Sequence, residues 1–479
     1  EITCRDWSSD VCSSDLALLP RLGLIAGKTE QVLFAQTATC SQRGDTARAV
    51  LRGHAVIDGV TWQARWELSA TRGEDTIGFS VQVAPDRLTS VAAFEGPMLY
   101  AGEGLLERED ALLPGLEWLV KGEESSNSLD IVPEHPDRIR DVPHPYKVTV
   151  PAVGMRFGDS AVGLLWDVPP YQPSYEVAGA ASLVFSSPNR LEGQPNHLMG
   201  LLLPAVGKGL DENKTRATEP LQVAAGEVLG LKAELLAVGQ ASDSLVALDR
   251  WYARYSYPRP LNFPRGDAAG ETAFSLGGYF KDRALWNPEW NLWYSDLIVG
   301  FSPSAGPATE LLYGAKLLGE GPVADEARAL AAEVLKGDER SRELALEYRP
   351  STGELSGAVR TALGLIASQE ADGNWGFSGE KAGEWEGAAP DYKYLGKVGE
   401  RASGLTADKA LRVLEGAALT GKPELLQAGL KALEALKTFR VPRASQVWEV
   451  PVHTPDILAS AHCVDANLWG YKITRDTQW

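Results

Sequence analysis

The sequence is poor in cysteine and in long apolar runs. Its 479 residues include four cysteines and three methionines. The cysteines (Cys4, Cys12, Cys40 and Cys463) are scattered, without metal-ligand spacing or the pattern of a disulfide framework. No apolar stretch is long enough to cross a bilayer. We therefore expect no metal, no cofactor and no membrane partner, while the cysteines leave the redox compartment open.

Positive charge is also scarce. Lys and Arg number 46 against 64 Asp and Glu, which gives a formal net charge of −18. Such a chain would be repelled by the phosphates of nucleic acids and by anionic membranes, so we expect neither as a general partner. Composition does not indicate an oligomeric state.

Both ends of the sequence have unusual features. Residues 1–16, EITCRDWSSDVCSSDL, lack an initiator Met and apolar periodicity, and they resemble an adapter-derived stretch of translated metagenomic assemblies. We exclude them from the predicted fold. The last predicted helix runs into ITRDTQW without a cap. We expect a bacterial, metagenomic fragment that could have lost a signal peptide, so the sequence does not indicate its localisation.

Between residues 17 and 240 the apolar pattern has a period of two. Trp62, Trp66 and Leu68 alternate with polar residues, and the turn-like TRGED separates them from a second alternating run that includes Phe79 and Val81. This pattern predicts a hairpin with one buried face. Similar runs, separated by Pro, Gly and Asp clusters, indicate a large antiparallel sandwich.

The pattern becomes helical in the second half of the chain. Residues 241–265 contain a Ser/Asp start signal, a helix and a Pro-rich stretch, which predict a linker. Residues 266–479 predict a second, helical domain. Its predicted helices are 289–301, 308–318, 323–335, 354–369, 408–419, 423–438 and 455–474.

One motif in the helical half is more specific. Gln369, Gly373 and Trp375 in QEADGNW match the Q-x-x-x-G-x-W pattern that ends helices in α/α-toroid proteins such as the triterpene cyclases. Gly373 allows a left-handed stop, and the indole packs across the helix end. The motif therefore indicates a toroid. The acidic D-x-D-D segment of class II cyclases is absent, so cyclase chemistry has no other support.

The strand pattern of GVTWQARWELS and DTIGFSVQVAPDRLTSVAAFEGPMLYAGEG resembles a known arrangement. It is similar to the N-terminal super-sandwich, related to the galactose-mutarotase sandwich, that precedes the catalytic toroid in several glycoside hydrolase and phosphorylase families. The resemblance implies a multidomain β-then-α chain: an antiparallel β-super-sandwich, then an (α/α) toroid of the six-hairpin glycosidase type. Seven predicted helices against about a dozen imply a toroid that is either small or incomplete at its C-terminus, and the uncapped last helix favours the incomplete ring.

Three connections in the helical half are rich in aromatic and acidic residues, which suits the C–H faces and hydroxyl edges of sugars. They are residues 284–294, residues 372–406 and the loop that opens the stretch 441–471. We predict that they meet at one rim and bind a carbohydrate substrate. The substrate-binding candidates are Glu289, Trp290, Trp293, Asp372, Trp375, Tyr394, Arg443 and Trp448.

The third connection also carries the catalytic candidates. Glu449 adjoins Trp448, and apolar packing would raise its pKa into the range of a general acid. Asp456 is the candidate base or stabiliser, or else it only complements the dipole of the helix it precedes. His453 could orient either carboxylate or transfer a proton.

The helix after this connection has its own predicted features. Thr454 suits its N-cap and Pro455 its first turn. One flank is apolar (Ile457, Ala461, Val464, Leu468 and Tyr471), and the adjacent flank is small or polar. We expect other helices to enclose it.

These features favour a glycoside hydrolase that uses two carboxyl groups. A polysaccharide lyase acting on uronic-acid glycans is the first alternative. It would use His453 or Tyr394 as base, and Arg443 or Arg401 to neutralise the substrate carboxylate. A non-catalytic scaffold that binds glycan or protein is the second alternative, and a terpenoid-cyclase relative is the third.

Overall fold

The chain divides into two compact units, residues 1–257 and 258–479, with the division inside the predicted linker. The computed structural model describes residues 16–18, 21–104, 107–125, 140–167, 181–207, 210–256, 263–294, 303–304, 306–337, 357–379, 396–447 and 452–479. Antiparallel sheets form the first unit, and the second is mainly helical. The predicted order of β-structure followed by helices is confirmed, whereas the predicted (α/α) toroid is not.

Two antiparallel sheets form the first unit. One sheet contains β1 (Leu16–Leu18), β2 (Arg21–Ala26), β3 (Thr29–Phe34), β8 (Thr89–Ala101), β13 (Ser182–Ser186), β14 (His197–Leu203) and β15 (Leu221–Val223). The other contains β4 (Thr37–Arg43), β5 (Thr46–Ile57), β6 (Val60–Thr71), β7 (Thr76–Pro85), β9 (Arg108–Leu113), β10 (Glu117–Val120), β11 (Ala152–Phe157), β12 (Ser160–Leu165) and β16 (Leu229–Gly239).

The predicted hairpin is formed by β6 and β7. Trp66 pairs with Val81 and Leu68 with Phe79, so the apolar residues of both strands lie on the same face. That face is buried in an apolar core to which the other sheet contributes residues such as Phe94. The period of two therefore identified the core-facing side chains correctly.

A helix closes the first unit. Helix α1 (Val246–Tyr255) covers the second sheet, where Trp251 packs with Leu165 and Leu236. The Trp251 indole also donates to the Trp166 carbonyl oxygen at 2.8 Å. The helix predicted within the linker thus has its apolar face buried on the sandwich.

The two cysteines that lie in the described part of the chain differ in state. Cys463 is a free thiol whose pKa is raised by burial. Cys40 is disulfide-bonded, and its partner lies outside the described residues. The scattered spacing, which shows no disulfide framework, did not indicate this bond, because sequence separation does not limit which cysteines meet in a fold.

The second unit contains seven helices in its described part. They are α2 (Ala268–Gly277), α3 (Pro307–Leu318), α4 (Pro322–Gly337), α5 (Gly357–Ala367), α6 (Ser403–Thr420), α7 (Pro423–Leu436) and α8 (Ile457–Thr474). Helices α2 to α4 share one apolar cluster, and α5 to α8 share another. Within the ranges described above, no helix is long and apolar enough to cross a membrane.

The helix predicted over 289–301 is wrong. The described part of this segment belongs to a small antiparallel sheet of β17 (Trp286–Asn287), β18 (Leu292–Tyr294) and β19 (Pro303–Ser304). Asn291 turns the chain with a φ of +53°. Asn tolerates this conformation, and the aromatic residues after it favour a strand.

The expected enclosure of α8 is also wrong for the described residues. Its apolar flank is open to solvent, with Ile457 85% and Val464 58% exposed. The adjacent flank packs instead: Gly470 of this flank is buried, and so are Ala459 and Ala466, two small residues that belong to neither predicted flank. Side chains of this size allow close approach between helices, which explains why this flank makes the contacts.

A buried polar cluster lies at one edge of the first sheet. The imidazole of His197 has no exposed surface, and it lies 2.7 Å from the Ser187 hydroxyl and 3.3 Å from the Gly104 carbonyl oxygen. Burial, together with the nearby Arg108 guanidinium, lowers the pKa of His197 to about 4. The folded protein therefore holds this imidazole neutral.

His197 should make the first unit less stable in mild acid. Between the ordinary histidine pKa of 6.5 and about 4, the unfolded chain binds a proton that the folded chain does not. The free energy of unfolding should therefore decrease as the pH is lowered across this window, by about 3 kcal/mol in total. Urea unfolding from about pH 7 to about pH 4 measures the slope. His197→Gln should flatten it, and the exposed-site control His54→Gln should not. Equal slopes in all three proteins would refute the assignment.

Candidate functional site

The carboxylate of Asp456 organises the third connection. It is buried, and its Oδ1 accepts from the Leu458 and Ala459 amides at 2.8 and 3.4 Å. Its Oδ2 accepts from the Ser445 and Gln446 amides at 2.8 and 2.6 Å. One carboxylate thus caps α8 and fixes the segment that precedes it, with all four of its lone-pair directions engaged. Asp456, not the predicted Thr454, is the N-cap.

The same hydrogen bonds hold together two described segments, residues 443–447 and 452–456, which with the residues between them in sequence are called the anchored loop below. Arg443 and Pro455 form a β-bridge across its base, and the Asp456 amide donates to the Pro442 carbonyl oxygen at 3.0 Å. Ala444 is buried at its start with a φ of +66°. A non-glycine residue persists in this conformation only where its surroundings fix it. The base of the loop is therefore well specified.

The N-terminus of α6 supports the loop. The Gly404 amide donates to the Arg443 carbonyl oxygen at 2.7 Å, and the Arg443 amide donates to the Ser403 hydroxyl at 2.9 Å. A side chain at Gly404 would collide with Ser445, so glycine is needed for this close approach. On the other side, the Ser445 hydroxyl lies 3.1 Å from Nδ1 of His462 on α8.

The second connection meets the anchored loop beside α6. Phe377 and Ala402 from that connection share a small apolar cluster with Ala444 and Val452. Gly396 is packed so closely against Val452 that a Cβ would collide with it. The described parts of two of the three aromatic-rich connections therefore lie together.

Asp372 belongs to an ionic cluster on the second connection. Arg401 forms ion pairs with both Asp372 and Glu370. The Asn374 amide group hydrogen-bonds to the Asp372 carboxylate and lowers the pKa of that carboxyl, an effect to which Arg401 adds. The Asn374 side chain also accepts from Thr406 on α6 at 2.9 Å. Asp372 is therefore an ionised, partly exposed group next to the α6 terminus.

Trp375 serves the packing of the helical array. Its indole is 2% exposed and donates to the Leu365 carbonyl oxygen at 3.0 Å. Gln369 donates to the carbonyl oxygens of Gly373 and Ala428, each at 3.0 Å. Gly373 has a φ of +92°, but α5 ends six residues earlier at Ala367, and the Gly373 amide closes a separate turn by donating to the Glu370 carbonyl oxygen at 3.0 Å, so it is not the predicted helix stop. These contacts favour the structural role of the motif, because a fully buried ring offers no face to a ligand.

The first connection divides its candidates between core and surface. Trp293 is fully buried and donates to the Tyr279 carbonyl oxygen at 2.6 Å. Trp290 is 38% exposed, its ring centroid 5.4 Å from that of Tyr294. Glu289 is exposed. Trp290 and Glu289 are therefore the members of this connection that a ligand can reach.

The remaining candidates are only partly described. Trp448, Glu449 and Tyr394 lie outside the described residues. His453 lies near the end of the anchored loop and is partly buried. The roles predicted for these four residues stay predictions.

Sequence reasoning did not identify one further acid. Burial raises the pKa of Glu415 on α6, and the nearby carboxylate of Asp465 on α8 adds to the effect. A raised carboxyl pKa is a feature of many groups that transfer protons. The only sequence signal for a buried acid was the position of Glu415 in the middle of a predicted helix. Most glutamates in that position face the solvent, so the signal did not single it out.

Comparison with known proteins shows likeness only to solved structures. No family model matches the chain, and no curated protein does. A galactose mutarotase related enzyme from Lactobacillus acidophilus matches at 7% identity over 43% of this chain and 73% of its own, with a TM-score of 0.24. The α-galactosidase AgaB from Geobacillus stearothermophilus matches at 8% identity over 48% of this chain, with a TM-score of 0.26.

A polysaccharide lyase matches at 9% identity over 96% of this chain, with a TM-score of 0.22. The chain spans 66% of the lyase and 31% of the α-galactosidase. All three proteins are carbohydrate-active by name. TM-scores this low establish neither a shared fold nor a shared activity.

Removing the anchor should destabilise the second unit. Asp456→Ala leaves four amides without their acceptor, so the free energy of unfolding should fall by about 3 kcal/mol. Asp456→Asn, which keeps one acceptor oxygen, should give a smaller loss. Asp408→Ala is the matched control, because its 3.1 Å ion pair with Arg412 is partly exposed and should contribute less than about 1 kcal/mol. Urea denaturation measures all three. Equal losses for Asp456→Ala and Asp408→Ala would contradict the anchor.

Proposed function

We propose that the chain is a carbohydrate-active enzyme, and specifically a glycoside hydrolase with Glu449 as its general acid. The observation that supports this most is the anchored loop. Its base is fixed by a buried carboxylate and packs against the second aromatic-rich connection. Catalytic groups on loops need such rigid support, because a small displacement of a proton donor is costly.

The residues of the loop would have distinct roles. Glu449 would give its proton to the leaving oxygen as the glycosidic bond breaks, with its pKa raised by the adjacent Trp448, and water would add to the anomeric carbon. His453 would orient the acid, or take the proton that the water releases and return it to Glu449. Asp456 would position the loop, because its four hydrogen bonds leave no free lone pair for a base. Its predicted role as the base is thus the less favoured of the two.

Substrate contacts would come from the accessible candidates. The exposed Trp290 offers a ring face for the C–H patches of a sugar, and Glu289 and Asp372 offer acceptors for hydroxyl groups. Arg443 and Tyr394 would add contacts near the anchored loop. Trp293 and Trp375 would act indirectly, by holding the segments in place.

The lyase alternative requires a cation that neutralises a uronate, for which the sequence offers Arg401 and Arg443. Arg401 is engaged by Glu370 and Asp372, which makes it a poor choice. A terpenoid-cyclase relative has less support, because the motif that suggested it is occupied with packing.

Glu449→Gln should distinguish these functions. For a hydrolase, turnover of the responsive member of a polysaccharide panel should fall by at least roughly 100-fold, with reducing ends as the product. Glu434→Gln, at an exposed ion pair on α7, should leave turnover unchanged. A product that absorbs through a new double bond would indicate a lyase. Unchanged turnover in Glu449→Gln would refute the assignment of the acid, and no turnover on any glycan would favour the scaffold.

A further inference from the structure

A groove between α2 and α3 in the second unit belongs to none of the predicted connections. It encloses about 510 Å³. At its floor Gly314 packs against Leu276 so closely that a Cβ would collide with the leucine, which brings the two helices together. Its walls include Phe263, Glu271, Tyr279, Glu310, Tyr313 and Leu317.

The walls combine exposed apolar surface with carboxylates. Phe263, Tyr313 and Leu317 are 52%, 63% and 61% exposed. Three large apolar side chains around one groove are more than the scattered exposure that protein surfaces usually show. Glu271 accepts from the Arg265 amide and guanidinium, both at 2.8 Å, which fixes its carboxylate and offsets its charge. Among the described residues, Glu310 forms no ion pair, so the groove keeps a net negative charge.

We propose that this groove binds uncharged residues of a saccharide chain, at a site separate from the anchored loop. Rings and apolar side chains suit the C–H faces of a sugar, and carboxylates accept from its hydroxyl groups. The volume lies in the range of small-ligand sites. The negative charge disfavours uronic acids. This inference rests on the proposed function, because it assumes that carbohydrate is the ligand.

Affinity electrophoresis tests the proposal. The full chain carrying Glu449→Gln, to prevent turnover, is run through gels that contain β-glucan, xylan, galactomannan or polygalacturonate. At least one neutral polysaccharide should retard the protein, and polygalacturonate should not. Adding Tyr313→Ala should weaken binding to that polysaccharide about tenfold, the effect expected of a central aromatic contact. Glu310→Gln should weaken it by a smaller factor.

Tyr471→Ala is the matched control, since Tyr471 is an exposed aromatic on α8, outside the groove. It should leave retardation unchanged. Equal thermal unfolding midpoints would show that both tyrosine variants are folded. Unchanged retardation in Tyr313→Ala and Glu310→Gln would overturn the groove site, even where Glu449→Gln has abolished turnover and the proposed function stands. Retardation by polygalacturonate alone would also overturn it. If no glycan is bound and none is cleaved, both proposals fail.

Discussion

The anchored loop and the start of α8 depend on one buried carboxylate, that of Asp456. An ionised carboxylate costs several kcal/mol to bury unless its oxygens are hydrogen-bonded. Asp456 meets this requirement with four backbone amides, two from the start of α8 and two from the segment before it. These four hydrogen bonds fix the backbone before α8 in one conformation. The N-terminus of α6 stabilises the same conformation, because the Gly404 amide donates to the Arg443 carbonyl oxygen.

Periodicity predicted which segments are helices or strands, and it did so within a few residues for most of the second unit and for the β6–β7 hairpin. It could not predict which face of a helix packs against other helices. The apolar flank of α8 was expected to be enclosed, yet Ile457 is exposed and small residues pack instead. The sequence pattern shows which face of α8 is apolar. The contacts depend on how closely two helices can approach, and that distance is set by the size of the side chains between them.

The site was predicted less completely, for related reasons. Thr454 and Asp456 are both good N-caps, and the choice between them depends on Ser445 and Gln446, eleven and ten residues before Asp456. Trp293 and Trp375 have the composition of a sugar platform, but their indole N–H groups are used to hold backbone carbonyl oxygens in the interior. The same aromatic residue types occur in cores and at binding surfaces, so only the burial of each side chain in the structure shows which of the two it belongs to.

Amide hydrogen exchange of the unmodified protein tests the central claim most directly. If Asp456 fixes the base of the anchored loop, the amides of Ser445 and Gln446 should be as slow to exchange as those of α6, because both open only when the unit unfolds. Exchange of these two amides at the rate of an unprotected loop, while α6 stays protected, would contradict the account.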